Sequence, residues 1–405
     1  MALSDDIQRL RTYLYTLVEK KGSDLHIKSG ARVSARVNEE IVSLGDTLLN
    51  HEDVEQIARE LAGKNYLSFM KSHELDTIYV LDEEHRFRVN IFVHLHGIAI
   101  VFRMIPKRIR SIEELNLPAA IHKLTKLKRG LVLITGTTGS GKSTTLASIV
   151  EEINLHQRRH IITIEDPVEY VYSDKSCIIE QRGVGHHTQS FATALRSAMR
   201  EDPDIVVVGE LRDIETAESA LHAVNTGQLV FSTLHTTDAR ETVDRLISMF
   251  PTREQNRVRM NLATNLQAVV SQRLIKSLED ELIPAVELMF MSPRIEYLIR
   301  MQQDVNIPDA MTEEGNVFGS RTFNKALFDL TLEGKISEEA AFDYATSASD
   351  LRLLFTTSSE YHKIKEKAAT EEIHIKGEDE RRAQEEAERA KELAKEEARA
   401  KLFEE

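Results

Sequence analysis

From about residue 114 onward the sequence predicts an α/β fold on a mostly parallel sheet, and two observations predict it. Four short apolar runs rich in Val and Ile, at 131–135, 161–165, 205–208 and 229–233, alternate with helical patterns at 143–154, 190–200, 214–225 and 238–249. Strands covered by helices on both faces read as continuous apolar runs rather than alternating ones. The second observation is Gly136-Thr137-Thr138-Gly139-Ser140-Gly141-Lys142-Ser143, which follows Leu131-Val132-Leu133-Ile134 and opens onto a helix-like segment, 143–150. Strand, glycine loop and helix in that order make this spacing a phosphate cradle rather than a bare turn. The glycines let backbone N–H groups approach an anion closely, and the unpaired N–H groups of the helix start face it. Lys142 is placed to reach β- and γ-phosphates and the Ser143 hydroxyl to ligate Mg²⁺, with Thr144 continuing the cradle.

A chain of 405 residues suggests about two or three domains. A hydrophobic fraction of 41% supports ordinary cores, although aromatics are only 6% and Trp is absent. The formal charge of −14 argues against a nucleic-acid partner or broad binding to anionic membranes. Cys177 is the only cysteine, which excludes a disulfide within the chain and a multi-Cys zinc module. Asp5, Asp6, Gln8 and Arg9 do not open a secretory signal, and no apolar run approaches about 18 residues. The expectation is a soluble, reduced, cytoplasmic protein.

Residues 4–20 read as an amphipathic helix, with Ser4 as N-cap, Ile7, Leu10, Leu14, Leu17 and Val18 at helical spacing, and Lys20-Lys21-Gly22 as the stop. Short strands follow at 24–27 and 32–37, helices at 51–62 and 65–73, and strands at 76–81, 86–93 and 98–104. Residues 1–105 thus form a small mixed α+β domain. His94 and His96 alternate on one of its strands, with His85 before it, a pattern that suits a solvated strand face better than a metal site. Residues 106–113 read as a solvated linker carrying Lys107, Arg108 and Arg110, with Ser111 as an N-cap. Residues 114–355 hold the α/β domain and its C-terminal helices.

The chemical candidates fall at strand ends, where parallel sheets bind ligands. The second strand exits through Ile164-Glu165-Asp166-Pro167-Val168-Glu169-Tyr170. A carboxylate there can polarise an attacking water or hold Mg²⁺. A surface Asp-Pro turn would carry the same letters, but its position directly after the first post-loop helix favours function. The third strand, Ile205-Val206-Val207-Val208, runs through Gly209 to Glu210, the Walker B pattern with Glu in place of the commoner Asp. Glu210 would hold water on Mg²⁺, so the expected metal residues are Ser143 and Glu210. The fourth strand leads into Leu234-His235-Thr236-Thr237, where His235 can sense a γ-phosphate or make a structural hydrogen bond. Phosphoryl transfer also calls for guanidinium groups on the equatorial oxygens. Arg196 and Arg200 lie four apart before the third strand, and Arg88 and Arg103 lie on neighbouring N-terminal strands; composition alone would make all four ordinary surface arginines.

These motifs together carry a resemblance. The glycine loop, T-I-E-D-P-V-E, A-L-R-S-A-M-R-E-D-P-D-I-V-V-V-G-E-L-R-D and T-G-Q-L-V-F-S-T-L-H-T-T occur in the order and spacing of the type II/IV secretion-superfamily ATPases. Over roughly residues 5–355 the chain is most similar to the twitching-motility retraction ATPases, the PilT and PilU group. The segments 288–295, 322–330 and 347–353 are similar to PilU-type sequences. The resemblance implies a RecA-like P-loop core, a PAS-like N-terminal domain, ATP and Mg²⁺ as ligands, and a homohexameric ring. That ring would sit peripherally at the cytoplasmic face of the inner-membrane base of a type IV pilus. Its partners would be an inner-membrane platform protein and, in one arrangement, a paralogous retraction ATPase. Hydrolysis would move the two domains relative to each other and depolymerise the pilus.

Carried onto matching positions, residues 136–144 bind phosphate, Glu165 is the first choice as catalytic base and Glu210 the second. Arg88, Arg103, Arg196 and Arg200 form the arginine set. His235 is the surviving histidine of a two-histidine box whose earlier position is Gln228 here. Beyond residue 355 the sequence turns polar. The stretch 377–405 is almost wholly Glu, Ala, Arg, Lys and Gln with helical charge spacing, which predicts a solvated helix or disordered tail. Beside the retraction motor stand three other readings. One is an assembly or secretion motor, which usually carries a four-Cys module that this chain lacks. Another is an accessory ring component that binds nucleotide to support a partner motor. The third is a metabolic kinase, for which no acceptor region is evident.

Overall fold

Capping sets the N-terminal unit. The Ser4 hydroxyl accepts the Ile7 N–H at 3.3 Å, and Asp5 and Asp6 occupy the first turn of α1 (Asp5–Glu19), where the helix dipole favours carboxylates. Ile7, Leu10, Leu14 and Leu17 form its buried stripe. The computed structural model describes residues 4–37, 40–82, 84–105, 108–366 and Arg389. After α1 come β1 (Asp24–Lys28), β2 (Ala31–Val37), β3 (Glu40–Leu49), α2 (His51–Ala62), α3 (Tyr66–Ser72), β4 (Glu74–Val80), β5 (Arg86–His94) and β6 (Gly97–Ile105). A capping box opens α2: Asn50 Oδ1 accepts the Asp53 N–H at 2.8 Å, and the Asp53 carboxylate accepts the Asn50 N–H at 3.1 Å.

The six strands form one antiparallel sheet ordered β3-β2-β1-β6-β5-β4. Phe87 on β5 and Phe102 on β6 enter the core edge to face at 6.4 Å, with Leu10, Leu14 and Phe69. Because side chains alternate along a strand, the neighbours of those phenylalanines, Arg88 and Arg103, lie on the opposite face. The register sets them directly across from each other. β3 is an edge strand with mostly exposed side chains, and so gives no alternating signal in the sequence.

The expected linker is better anchored than its composition suggests. Ser111 Oγ accepts the Glu114 N–H at 3.2 Å and the Glu114 carboxylate accepts the Ser111 N–H at 2.9 Å. This is the reciprocal pattern of a helix start, yet turns follow rather than a helix. Ile112, Leu115 and Leu117 are buried in the second core and hold the segment down.

After α4 (His122–Thr125) the second sheet begins. Its strands are β7 (Gly130–Thr135), β8 (His160–Glu165), β9 (Ile178–Gly183), β10 (Ile205–Val208), β11 (Leu229–Leu234), β12 (Leu266–Lys276) and β13 (Leu282–Phe290). They alternate with α5 (Lys142–His156), α6 (Phe191–Ala198), α7 (Ile214–Asn225), α8 (Ala239–Ser248) and α9 (Thr252–Asn265). The order is β13-β12-β7-β11-β10-β8-β9, and all pairs are parallel except β12 with β13. The four central strands are those expected from the sequence; every residue of β7, β10 and β11 is buried. β9, β12 and β13 are additions. Polar Ser271 and Gln272 interrupt β12 and yet are fully buried, because they bond the phosphate-loop region rather than solvent.

After β13 come α10 (Pro293–Arg300), α11 (Ile307–Phe318), α12 (Phe323–Leu332), α13 (Glu338–Asp343) and α14 (Ala348–Thr357). Phe323, Leu327, Phe328, Leu351 and Phe355 pack with Ile275 and Ile283 from the antiparallel edge. Tyr361 packs on Phe355 at 4.7 Å, so the apolar cluster reaches past the point where the sequence turns polar. The charged helix or tail expected over 377–405 lies outside the described residues, Arg389 excepted.

Glu287 on β13 ties this edge to two helices. Its carboxylate accepts the Ala239 N–H at the start of α8 at 2.8 Å and the Phe323 N–H at the start of α12 at 3.3 Å. Burial drives its pKa up to about 7 against the pull of these N–H groups and of Arg273. An unfolded Glu titrates near ~4.3, so the folded state holds the proton more tightly. The stability from this group is therefore fully present below the unfolded value and is lost as pH rises to about 7. Glu287→Gln removes that titration. The melting temperature of the natural protein minus that of Glu287→Gln should fall between about pH 5 and about pH 8; a pH-independent difference in thermal melts would refute this account.

Candidate active site

The glycine loop lies between β7 and α5 as the sequence predicts. Gly136 has φ 144°, and a Cβ there would sit 2.4 Å from Ser140 Oγ and 2.5 Å from the Gln272 carbonyl oxygen of the adjoining strand. Only glycine lets the chain leave β7 at this angle. Gly141, at φ 89°, is the N-cap of α5, so the first unpaired N–H groups of the helix open into the loop. Thr137, Thr138 and Gly139 are exposed at its tip, and Ser140 is buried. Lys142 is buried, and its Nζ donates to the Gly136 and Thr137 carbonyls at 2.8 Å each. The ammonium is thus folded into its own loop. Burial lowers its pKa, against the opposing pull of Glu210 and Glu169. Behind the loop, Gln272 Nε2 donates to Thr145 Oγ1 at 2.8 Å, and Thr144 Oγ1 meets the Tyr170 hydroxyl at 2.9 Å.

Parallel register brings the other strand ends alongside. Val208 pairs with both Ile164 and Ser232, so Glu165, Glu210 and His235 emerge at one level. The Gly209 N–H donates to the Ile164 carbonyl at 2.7 Å, and Thr233 Oγ1 donates to the Gly209 carbonyl at 2.6 Å. These bonds hold the exits of β8, β10 and β11 together.

The two carboxylates have different surroundings. Glu165 Oε1 accepts from Thr163 Oγ1 at 2.7 Å and from Gln181 Nε2 at 3.2 Å, and Oε2 accepts the Glu169 N–H at 3.4 Å. Burial of the carboxylate dominates and raises its pKa despite these donors. Burial acts the same way on Glu210, but there Arg212 and the neighbouring His235 prevail. Arg212 binds one oxygen and His235 Nε2 lies 3.5 Å from the other, so the pKa falls below the ordinary value. Arg212 also reaches Asp166 at 3.8 Å. A carboxylate with raised affinity for a proton suits base work, and an ion-paired one suits a fixed negative charge.

The N-terminal sheet closes the site. A cleft of about 740 Å³ is lined by Arg88 and Arg103 on one side and on the other by Thr138, Gly139, Lys142, Ser143, Thr144, Glu165, Asp166, Glu210, Arg212 and His235. Arg103 Nε donates to the buried Asp24 carboxylate at 2.8 Å while 71% of its side chain stays exposed, and the residue lines the cleft. Arg88 is held more loosely, 3.6 Å from Asp76.

Arg196 and Arg200 are not brought into this cleft. Arg196 is exposed on α6 and pairs with Glu215 at 2.9 Å. Helix α6 stops at Ala198, so Arg200 lies in the following turn, where it donates to the Arg196 carbonyl at 3.1 Å. Gln228 bonds Thr226 at 2.7 Å and immediately precedes β11. It lies at the amino end of the strand whose carboxyl end carries His235, a strand length of roughly 20 Å away. Its departure from histidine therefore leaves the cleft untouched. Sequence reasoning gave no role to Gln181, Tyr170 or Gln272, whose partners are set by the pairing of β9 and β12. Arg212 fell inside a quoted motif, and its position two residues after Glu210 was the available signal.

The family model described as "Type II/IV secretion system protein" matches residues 75–313. The chain is 40% identical over 336 residues to "Type IV pilus retractation ATPase PilT" of Pseudomonas aeruginosa, covering 82% of this chain and 97% of that protein. It is 36% identical over 349 residues to "Type IV pilus ATPase PilU" of the same organism, covering 86% and 91%. The fold matches the crystal structure of the pilus retraction motor PilT with bound ADP at a TM-score of 0.79 and 38% identity, over 84% of this chain and 98% of that one. A phosphate cradle with flanking carboxylates on a parallel sheet, matched along most of its length by ATPases, places this chain in the type II/IV secretion system family as an ATPase.

Proposed function

We propose that this ATPase powers type IV pilus retraction as a hexameric motor, and that the cleft shared by Arg88, Arg103 and the glycine loop is its hydrolytic site. The observation that carries this reading is that shared cleft. A site built from two sheets changes shape when they move, which is what a motor requires and a rigid nucleotide pocket does not. On ATP binding, Lys142 exchanges the Gly136 and Thr137 carbonyls for β- and γ-phosphate oxygens. Glu165 takes the proton of a water as that water's oxygen bonds to γ-phosphorus; the bond from phosphorus to the β–γ bridging oxygen breaks, releasing ADP and phosphate. Arg88 and Arg103 stabilise the charge on the transferring group. His235 stands beside Glu210, where a change at the γ-position is felt.

Mg²⁺ fits the donors present. Ser143 and Glu210 offer only oxygen, and among the described residues no cluster of three or more His, Cys, Asp or Glu side chains could hold a metal alone. Mg²⁺ takes one or two protein oxygens and completes its shell with phosphate and water. When bound, it would neutralise charge on the β- and γ-phosphates.

Arg196 and Arg200 are exposed, outside the cleft, where they would serve a neighbouring copy in the ring. No helix among the described residues is long and apolar enough to cross a membrane. The similarity to pilus ATPases supports a motor docked at the cytoplasmic face of the inner membrane on a platform protein. The C-terminal segments similar to PilU sequences favour the PilU side of the group, although identity over the whole match is higher to PilT; on the PilU side the ring would work beside a paralogous motor.

Hydrolysis, nucleotide binding and piliation together test the proposal. Purified Lys142→Ala protein should show no ATP hydrolysis above background. Gly136→Ala should weaken nucleotide binding by about tenfold or more, since forcing a Cβ into this backbone costs on the order of 1–3 kcal/mol. A piliated strain deleted for this gene should carry surplus, non-retracting pili; absent pili would instead support an assembly motor. Natural protein with no hydrolysis above the Lys142→Ala level, even with a partner motor present, would support the accessory ring reading.

A further inference from the structure

We propose that Gln181, on the edge strand β9, is a positioning residue for hydrolysis: its amide fixes the Glu165 carboxylate and joins it to the loop that contacts the phosphate cradle. The proposal rests on the reading of Glu165 as the base. Gln181 pairs with Thr163 across β8 and β9, and Thr163 precedes Glu165 by two residues on the same face of β8. Both side chains therefore converge on one oxygen, Glu165 Oε1, from Thr163 Oγ1 at 2.7 Å and Gln181 Nε2 at 3.2 Å. The other bonds of the amide determine its orientation. Nε2 also donates to the Tyr170 carbonyl at 2.8 Å, and Oε1 accepts the Tyr172 N–H at 2.9 Å. The flipped amide would set an oxygen against two oxygens and an NH₂ against an N–H. Every polar atom of the amide is thus used, and it faces Glu165 with a donor.

The same amide grips both ends of the Tyr170–Tyr172 stretch, and the Tyr170 hydroxyl meets Thr144 Oγ1 at 2.9 Å. Gln181 thereby connects the carboxylate to the first turn of α5. The strand that presents it is fastened one residue later, where Arg182 pairs with Glu201 at 2.8 Å. The charged and titratable groups around Glu165 are Glu169 on the exit loop, Tyr170, Tyr172, and Asp166, which is within 3.8 Å of Arg212. Glu169 opposes ionisation of Glu165, whereas Gln181 and Thr163 favour it.

Removing the Gln181 donor leaves Oε1 with Thr163 alone. The carboxylate then gains rotational freedom and takes up a proton at higher pH. A misplaced base loses rate without losing nucleotide affinity. The test measures single-turnover hydrolysis and nucleotide affinity across pH for the natural protein, Gln181→Met, Gln181→Glu and Glu165→Gln. Gln181→Met keeps the bulk and loses both hydrogen-bonding ends. It should lower the saturating rate by at least about tenfold while ATP affinity stays within about twofold, and it should move the acid limb of the profile to higher pH. Gln181→Glu keeps an acceptor for the Tyr172 N–H but sets a like charge against Glu165, so its acid limb should move further. If Gln181→Met does not fold, Gln181→Glu decides alone. Natural rates and an unmoved acid limb in the Gln181 variants would overturn the proposal. So would a loss confined to nucleotide affinity, which would make Gln181 only a loop anchor. Full hydrolysis by Glu165→Gln would overturn the base assignment itself. An inactive Glu165→Gln beside fully active Gln181 variants would defeat this inference alone.

Discussion

The structure depends on the parallel register of β7, β11, β10 and β8. Because the strands run the same way and pair in register, the loops that leave them emerge along one edge. The glycine loop, Glu165, Glu210 and His235 come from distant parts of the chain, and nothing local would bring them together. Burial on both faces is what enforces the register: a slip of one residue in β10 would turn apolar side chains out of two cores at once. The hydrophobic demand that makes these strands so legible also assembles the chemistry.

Two glutamates on adjacent strand ends have been driven apart in character by their neighbours. Glu210 is met by Arg212 and His235 and held anionic. Glu165 is met by neutral donors and by the opposing charge of Glu169, so burial prevails. Two carboxyl groups of one chemical type can thus divide the labour of base and fixed charge. Arg212 also bridges toward Asp166, which gives the exit loops of β8 and β10 a common cation.

The glycine loop and the four central strands were legible in the sequence because each is governed by local rules: spacing for the loop, continuous apolar runs for the buried strands. The sequence put Arg88 and Arg103 on neighbouring strands, but only the resemblance to the secretion-superfamily ATPases singled them out; the β5–β6 register is what sets them across from each other. What was not legible depended on pairing partners. Gln181 is an unremarkable polar residue until β9 is known to lie beside β8. Gln272 breaks an apolar run until β12 is known to pass behind the loop. Arg196 and Arg200 looked like one helix face, but the helix ends before Arg200 and neither enters the cleft. The buried Glu287 gave no signal either, since its partners are the N-termini of two helices distant in sequence.

On this proposal the glycine loop is half of a site, and the N-terminal sheet supplies the other half. Arg88 tests this more cleanly than Arg103. Its pair with Asp76 is loose and exposed, whereas loss of Arg103 would strand the buried Asp24 carboxylate. The decisive measurement is the single-turnover rate of ATP hydrolysis by Arg88→Ala at saturating nucleotide, with binding measured in parallel. If the N-terminal sheet completes the site, nucleotide still binds through the loop and the rate falls by at least about tenfold. An Arg88→Ala protein that hydrolyses bound ATP at the natural rate would contradict the account.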